Sequence, residues 1–247
     1  MTPTFTRQFV KEKNSNSGVS WLRATAAGLA RSTLRLENAF YEYHLGITTR
    51  GLYNWTPGGD WSQDEHLYYY ATSYRRIFRI LDALRLGPAD TFIDLGCGKG
   101  RVACCASSYP VGEVIGIDDV PELCSAAENN LRDLRSRRAR SRILRCGAQE
   151  FDYSVGTVIY MFHPFGARTL FAVLSRLAAG LQSSPRDLRI VYVNPVHESI
   201  LRQTKWLEPY DRWPPLRYLG TEVAHEVSFW RLSDDRCRLG DEPLRLP

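Results

Sequence analysis

A chain of 247 residues with 44% apolar and 24% charged side chains has ordinary globular composition, which excludes collagenous, low-complexity and disordered polymers. It is long enough to bury a sizeable core without covalent staples, and no apolar run approaches the roughly 20 residues that a membrane span needs. The net charge of +5 is mild and unevenly spread.

Met1 to Ser17 is polar and lacks the apolar centre of a secretory signal. Its basic residues read better as a solvated tail than as an organelle-targeting segment. The six cysteines fall at 97, 104, 105, 124, 146 and 237, with no C-x-x-C pair. That is a poor framework for zinc or disulfides, so no metal is expected, and reduced thiols in the cytoplasm are.

Ser20 to Tyr43 reads as helix, with Leu22, Ala26, Leu29, Leu36, Ala39 and Tyr43 as its apolar positions. Thr56-Pro57-Gly58-Gly59-Asp60 has loop chemistry. Asp64 to Leu84 is helical in its second half, where Tyr74, Ile77, Phe78, Leu81 and Leu84 recur, and Gly87-Pro88 ends it. Near residue 85 an aromatic-rich extension, 1–85, gives way to alternating strands and helices over 86–247.

The expected strands are Thr91 to Leu95, Val114 to Ile117, Arg142 to Cys146, Thr157 to Phe162 and Leu188 to Val193. Two more lie near Trp206 to Tyr210 and Ala224 to Leu232. Between them come helices over Arg101 to Ser107, from Pro121 with Leu123, Ala127, Leu131 and Leu134 inward, and over Phe165 to Ala179, closed by Gly180. This alternation predicts an α/β fold, a doubly wound, mostly parallel sheet with an N-terminal helical extension. Ligands then bind at the carboxyl ends of the strands, at the switch point.

Between Arg132 and Arg145 lie seven arginines with no aromatic residue among them. Without stacking residues, a solvated helix end explains them better than a nucleic-acid surface does.

The strongest signal is Phe92-Ile93-Asp94-Leu95-Gly96-Cys97-Gly98-Lys99-Gly100-Arg101. Its glycines allow a tight turn beneath a ligand, and the following helix offers free N–H groups. A dinucleotide fingerprint wants glycine or alanine where Arg101 stands, and Asp94 would repel phosphates. Asp94 instead suits an ammonium or sulfonium. Asp118 ends the second strand about 20 residues on, where doubly wound folds place a ribose-binding acid. Asp119 could share that role, or both could cap the Pro121 helix.

At these residues, from about Thr91 to Leu232, the chain resembles the class I, Rossmann-like S-adenosylmethionine (SAM)-dependent methyltransferases. The resemblance implies a seven-stranded sheet with its last strand antiparallel, SAM as cofactor and methyl transfer as chemistry. It also implies that Asp94 holds the methionine end, that Gly96, Cys97, Gly98 and Gly100 pass beneath the cofactor, and that Asp118 binds the ribose. The family's adenine-side acid is missing: Gly147 stands there, leaving Ala148 backbone and Gln149 as substitutes.

Phe162-His163-Pro164-Phe165 resembles the Asn-Pro-Phe form of the acceptor loop in amino-methylating enzymes. His163 in place of asparagine could accept a hydrogen bond from an amine or take a proton from a hydroxyl; it could equally pack or cap the next helix. Phe162 and Phe165 are candidate walls around the cofactor. Tyr68 to Tyr74 resembles a segment that covers the cofactor's methionine end in relatives that include protein-lysine methyltransferases. That makes Tyr70 a catalytic candidate and Thr72 a cofactor contact, and 1–85 a lid. Trp55, Trp61 and His66 could shape an acceptor pocket.

An amine acceptor, a protein lysine or another nitrogen, is the leading expectation. The alternatives are a small-molecule O- or N-methyltransferase and a SAM-binding module with lost or repurposed chemistry. No membrane partner is expected.

Overall fold

The computed structural model describes residues 17–51, 72–218 and 221–233. In chain order the elements are α1 (Ser17–Leu45), α2 (Tyr74–Leu84), β1 (Thr91–Leu95), α3 (Arg101–Ser107), β2 (Glu113–Asp118), α4 (Pro121–Asp133) and β3 (Arg140–Arg145). There follow β4 (Val158–Phe162), α5 (Ala167–Ser183), β5 (Arg189–Val193), α6 (Glu198–Gln203), β6 (Leu207–Trp213), β7 (Leu216–Tyr218), β8 (Thr221–Ala224) and β9 (Val227–Leu232). A 3₁₀ turn, Tyr153–Val155, leads into β4.

The main sheet has seven strands in the order β3-β2-β1-β4-β5-β9-β6, and β7 and β8 form a separate two-stranded ribbon. β1 to β5 pair in parallel, whereas β9 runs antiparallel to both β5 and β6. The central strands bury both faces, and their period of two divides the core. Phe92, Val114, Tyr160, Val191 and Val193 pack on one side, against α2, α3 and α4. Ile93, Leu95, Ile115, Ile117, Ile159, Met161, Ile190 and Tyr192 pack on the other, against α5.

Several expected boundaries move: the third strand is Arg140–Arg145, and the strand expected near Trp206 to Tyr210 runs from Leu207 to Trp213. The helix after β4 starts at Ala167 and runs through Gly180 to Ser183. Leu181 explains the continuation: it is buried, four residues after buried Leu177, so another turn completes the apolar face. The last expected strand is divided. Residues between Ala224 and Val227 leave the ladder, and β8 turns to β7 instead of the main sheet. Helix α6 and strand β7 carry no sequence signal long enough to declare themselves.

Beside the sheet, α1 docks from its middle to its C-terminal turns. Ala30, Glu42 and Leu45 are buried, and Tyr41 stacks on Tyr74 of α2 with ring centroids 5.2 Å apart. Of the arginine run, Arg140, Arg142 and Arg145 stand on the edge strand β3, where charge discourages pairing with another sheet. Arg142 pairs with Glu113, and Arg135 donates to the Tyr43 carbonyl. Among the described residues no helix is long and apolar enough to cross a membrane.

Candidate active site

Strand order reverses between β1 and β4, so the loops after these strands open at the switch point. After β1 the chain turns back on itself. The Gly96 and Cys97 amides both donate to the Ile117 carbonyl at 2.9 Å, which binds the loop to the end of β2. Gly96 lies at φ +68°, and a Cβ there would come within 2.4 Å of Pro164 Cβ. Gly100, at φ +77°, starts α3 against Ala127, which would lie 2.9 Å from a Cβ. Only glycine fits either place. The first contact also joins the two loops, because Pro164 belongs to the turn after β4.

The two carboxylates sit where the strands end. Asp94 has the same strand parity as Phe92, so it faces α3, and the Ala103 amide donates to its Oδ2 at 3.1 Å. Its residue is 3% exposed, and no other described group donates to it. Burial chiefly, with the Asp118 charge added, pushes its carboxyl up to about 7 despite the Ala103 bond. Asp118 Oδ2 accepts from Gly98 N–H at 2.8 Å, and Oδ1 accepts from Val120 N–H at 3.1 Å. Burial raises its pKa as well, while these backbone donors pull it down. Each oxygen retains a lone pair, so hydroxyl donors can still be added. The neighbouring Asp119 is exposed. The N-cap of α4 is Val120, whose own side chain makes no capping bond.

A further ring of contacts ties α1 and the segment after it to this loop. Arg101 is 4% exposed. Its guanidinium reaches Thr49 Oγ1 at 2.8 Å, the Thr72 carbonyl at 3.0 Å and Asn38 Oδ1 at 3.2 Å. It lies 4.4 Å from the Tyr74 ring centroid and 3.6 Å from the buried Glu42 carboxylate. Asn130, on the inner face of α4, donates to the Lys99 and Thr48 carbonyls and accepts from Thr48 N–H. Sequence reasoning treated Arg101 only as a mismatch and passed over Asn130. A polar residue among Leu123, Ala127 and Leu131 was the available signal for the second.

Thr72 is buried, with its Oγ1 3.4 Å from Tyr160 Oη under the sheet end. Tyr70, with Trp55, Trp61, His66, Tyr68 and Tyr69, lies outside the described residues. Cys97 is buried beneath the loop, and its thiol pKa is raised by burial and by both aspartates. On the far side of β2, Ala148 is half-buried and its carbonyl accepts from Tyr153 Oη at 2.7 Å. Gln149 is exposed and folds back beside Gly147.

After β4, Phe162 is half-buried and tilts against the His225 ring at 5.2 Å. His163 has φ +35°, an uncommon conformation that holds it out of regular structure. Its Nδ1 lies 3.2 Å from Tyr192 Oη, and its ring centroid 5.1 Å from that of His197. Phe165 is buried in the α5-side core with Ile117 and Met161. The structure therefore assembles Asp94, Gly96, Cys97, Gly98, Gly100, Asp118, Pro164 and the His163 turn at one end of the sheet.

These features fit SAM. A buried carboxylate short of donors matches its ammonium group, an acid at the tip of β2 with free lone pairs matches a ribose diol, and side-chain-free backbone allows close approach. Among the described residues no cluster of histidine, cysteine and acidic side chains could hold a metal ion.

The chain is similar to several known proteins. Residues 63–151 match the family model described as histone methylation protein DOT1. A protein-lysine N-methyltransferase from Saccharolobus islandicus (strain REY15A) is 29% identical over 98 residues, 39% of this chain and 60% of that relative. The matched part thus spans 60% of the relative's length. Among solved structures, an RNA methyltransferase from Salinibacter ruber in complex with S-adenosyl-L-homocysteine is 20% identical, covering 72% of this chain and 99% of its own, with a TM-score of 0.44. The precorrin-6y C5,15-methyltransferase from Geobacter metallireducens GS-15 is 15% identical over 70% and 96%, with a TM-score of 0.49.

Proposed function

We propose that this Rossmann-like, SAM-dependent class I methyltransferase acts on an amine carried by a protein, foremost a lysine side chain. One observation carries the reading: Pro164 packs directly on the Gly96 backbone, so the His163 turn and the cofactor loop form one surface. The protein-lysine N-methyltransferase from Saccharolobus islandicus supports the lysine, and the family described by histone methylation supports a protein acceptor. When bound, the cofactor supplies a methyl group on a sulfonium, so transfer forms a C–N bond, breaks a C–S bond and costs the amine one proton.

In this reading the chain's residues mainly bind and orient. Asp94, as carboxylate, holds the ammonium end, with Thr72 and Tyr70 closing over the methionine part. Gly96, Cys97, Gly98 and Gly100 provide a floor without side-chain bulk. Asp118 accepts the ribose hydroxyls, and Asp119 shares that role. Ala148 backbone and Gln149 border the adenine in place of the missing acid. Phe162 and Phe165 wall the transfer zone and exclude water. The backbone of the His163 turn orients the amine, with residues 1–85 acting as a lid and 86–247 as the cofactor-binding body.

The test is direct. The full chain is incubated with methyl-labelled SAM and, in parallel, a mixture of basic proteins, bulk RNA and a pool of small amines and phenols. The expected result is base-stable label in protein, recovered as methyl-lysine after hydrolysis. Label confined to RNA or to the small molecules would contradict the lysine assignment.

A further inference from the structure

His163 and Tyr192 form a pair whose hydrogen-bond directions can be counted. Tyr192 lies on β5 with its residue 1% exposed, so its hydroxyl proton needs a protein acceptor. Among the described residues two groups reach the oxygen. The His197 backbone N–H, 3.3 Å away, can only donate. His163 Nδ1, 3.2 Å away, can donate or accept. Were Nδ1 to donate too, the buried oxygen would receive two protons while its own had no described acceptor. With Nδ1 accepting, every group is satisfied, and the imidazole proton sits on Nε2.

The charge states agree. Burial, with the nearby His197, pushes His163 down to about 4, so the ring holds one proton at neutral pH. Burial pushes Tyr192 up to about 12, so the phenol keeps the proton it donates.

We propose that Tyr192 is a positioning residue that fixes His163 as the Nε2–H tautomer, so that His163 donates a hydrogen bond to the methyl acceptor and takes no proton from it. The proposal rests on the reading that the acceptor docks at the His163 turn, and it narrows the acceptor's chemistry. An Nε2–H seeks an oxygen, such as a peptide carbonyl flanking the lysine. A hydroxyl acceptor would need a base to remove its proton, and the lone pair that could serve is already occupied by Tyr192. The amine leaves its proton in bulk water before it enters the site, and the His163 side chain holds the neighbouring oxygen while the backbone of the turn orients the nitrogen.

The tautomer is read in the free protein by two-bond ¹H–¹⁵N correlation NMR at about pH 7.5. The chain has five histidines, so the His163→Gln variant assigns the signal. The expected spectrum shows an unprotonated Nδ1 and a protonated Nε2. Tyr192→Phe should move the ring towards a mixture of tautomers and raise the acceptor KM about tenfold, with cofactor affinity within about twofold. A proton on Nδ1 in the wild-type protein would overturn the proposal, and so would a folded Tyr192→Phe protein with the wild-type tautomer. The wild-type spectrum decides the matter even if that variant fails to fold. Absence of methyl transfer to any amine would count against the proposed function alone, because the tautomer is measured without substrate.

Discussion

Burial and a neighbouring acid push the Asp94 carboxyl up to about 7, with a single backbone donor in opposition. A cationic ligand reverses the balance, because it favours the carboxylate. Cofactor binding should therefore release a proton below about pH 7 and weaken about tenfold per pH unit as the pH falls further. Calorimetry in buffers of different ionisation heat measures both effects. The sign for stability is the opposite. A raised folded pKa stabilises the free protein below its unfolded value, near 3.8, and that stabilisation is lost as pH rises through about 7. Stabilisation by ligand should then be larger above pH 7 than below it. Asp94→Asn should remove the pH dependence and weaken binding by about 10- to 100-fold. Gly96→Ala meets both a positive φ and Pro164, so it should cost at least about 2 kcal/mol in thermal or denaturant unfolding. The places of Asp94, Asp118 and the glycines at the strand ends were legible in the sequence, because local spacing sets them. Arg101, Asn130 and Tyr192 were not, because each acts through a partner far off in sequence: Thr72 lies 29 residues from Arg101, Thr48 lies 82 from Asn130 and His163 lies 29 from Tyr192.

At the scale of elements, Arg101 works as a strut between α1, α2 and the start of α3. It lies between a buried carboxylate and a buried aromatic ring, and its removal would take a cationic neighbour from both. Glu42 keeps Arg50, 2.5 Å away and half-exposed, so the loss is partial. Arg101→Met should destabilise the protein by about 3 kcal/mol in denaturant unfolding, and Glu42→Gln in the same chain should recover part of it. A full additive loss in the double variant would contradict the coupling. Strands β1, β2, β4 and β5 were legible as short apolar runs bounded by turn residues, since a sheet buried on both faces demands them. The end of α5 was misread at Gly180, because local chemistry pointed to a stop while Leu181 still had a buried place to fill. The short α6 and the β7–β8 ribbon owe their existence to tertiary pairing, which no local window carries.

At the scale of the whole molecule, the sheet order places two loops distant in sequence side by side. The mostly parallel, doubly wound sheet follows from the alternation of strands and helices, so that much was legible in the sequence, whereas the place of its reversal, between β1 and β4, was not. The packing of Pro164 on Gly96 was not, and it is this contact that unites the carboxylates with the His163 turn. The account stands on the claim that this end of the sheet binds a cationic nucleoside through Asp94 and Asp118. Titration of the purified, ligand-free chain with SAM and with its demethylated product in a calorimeter tests it most directly. The prediction is one site for each ligand, weakened at least about tenfold by Asp118→Ala in a protein that remains folded. No heat with either ligand, or undiminished affinity in that variant, would contradict it.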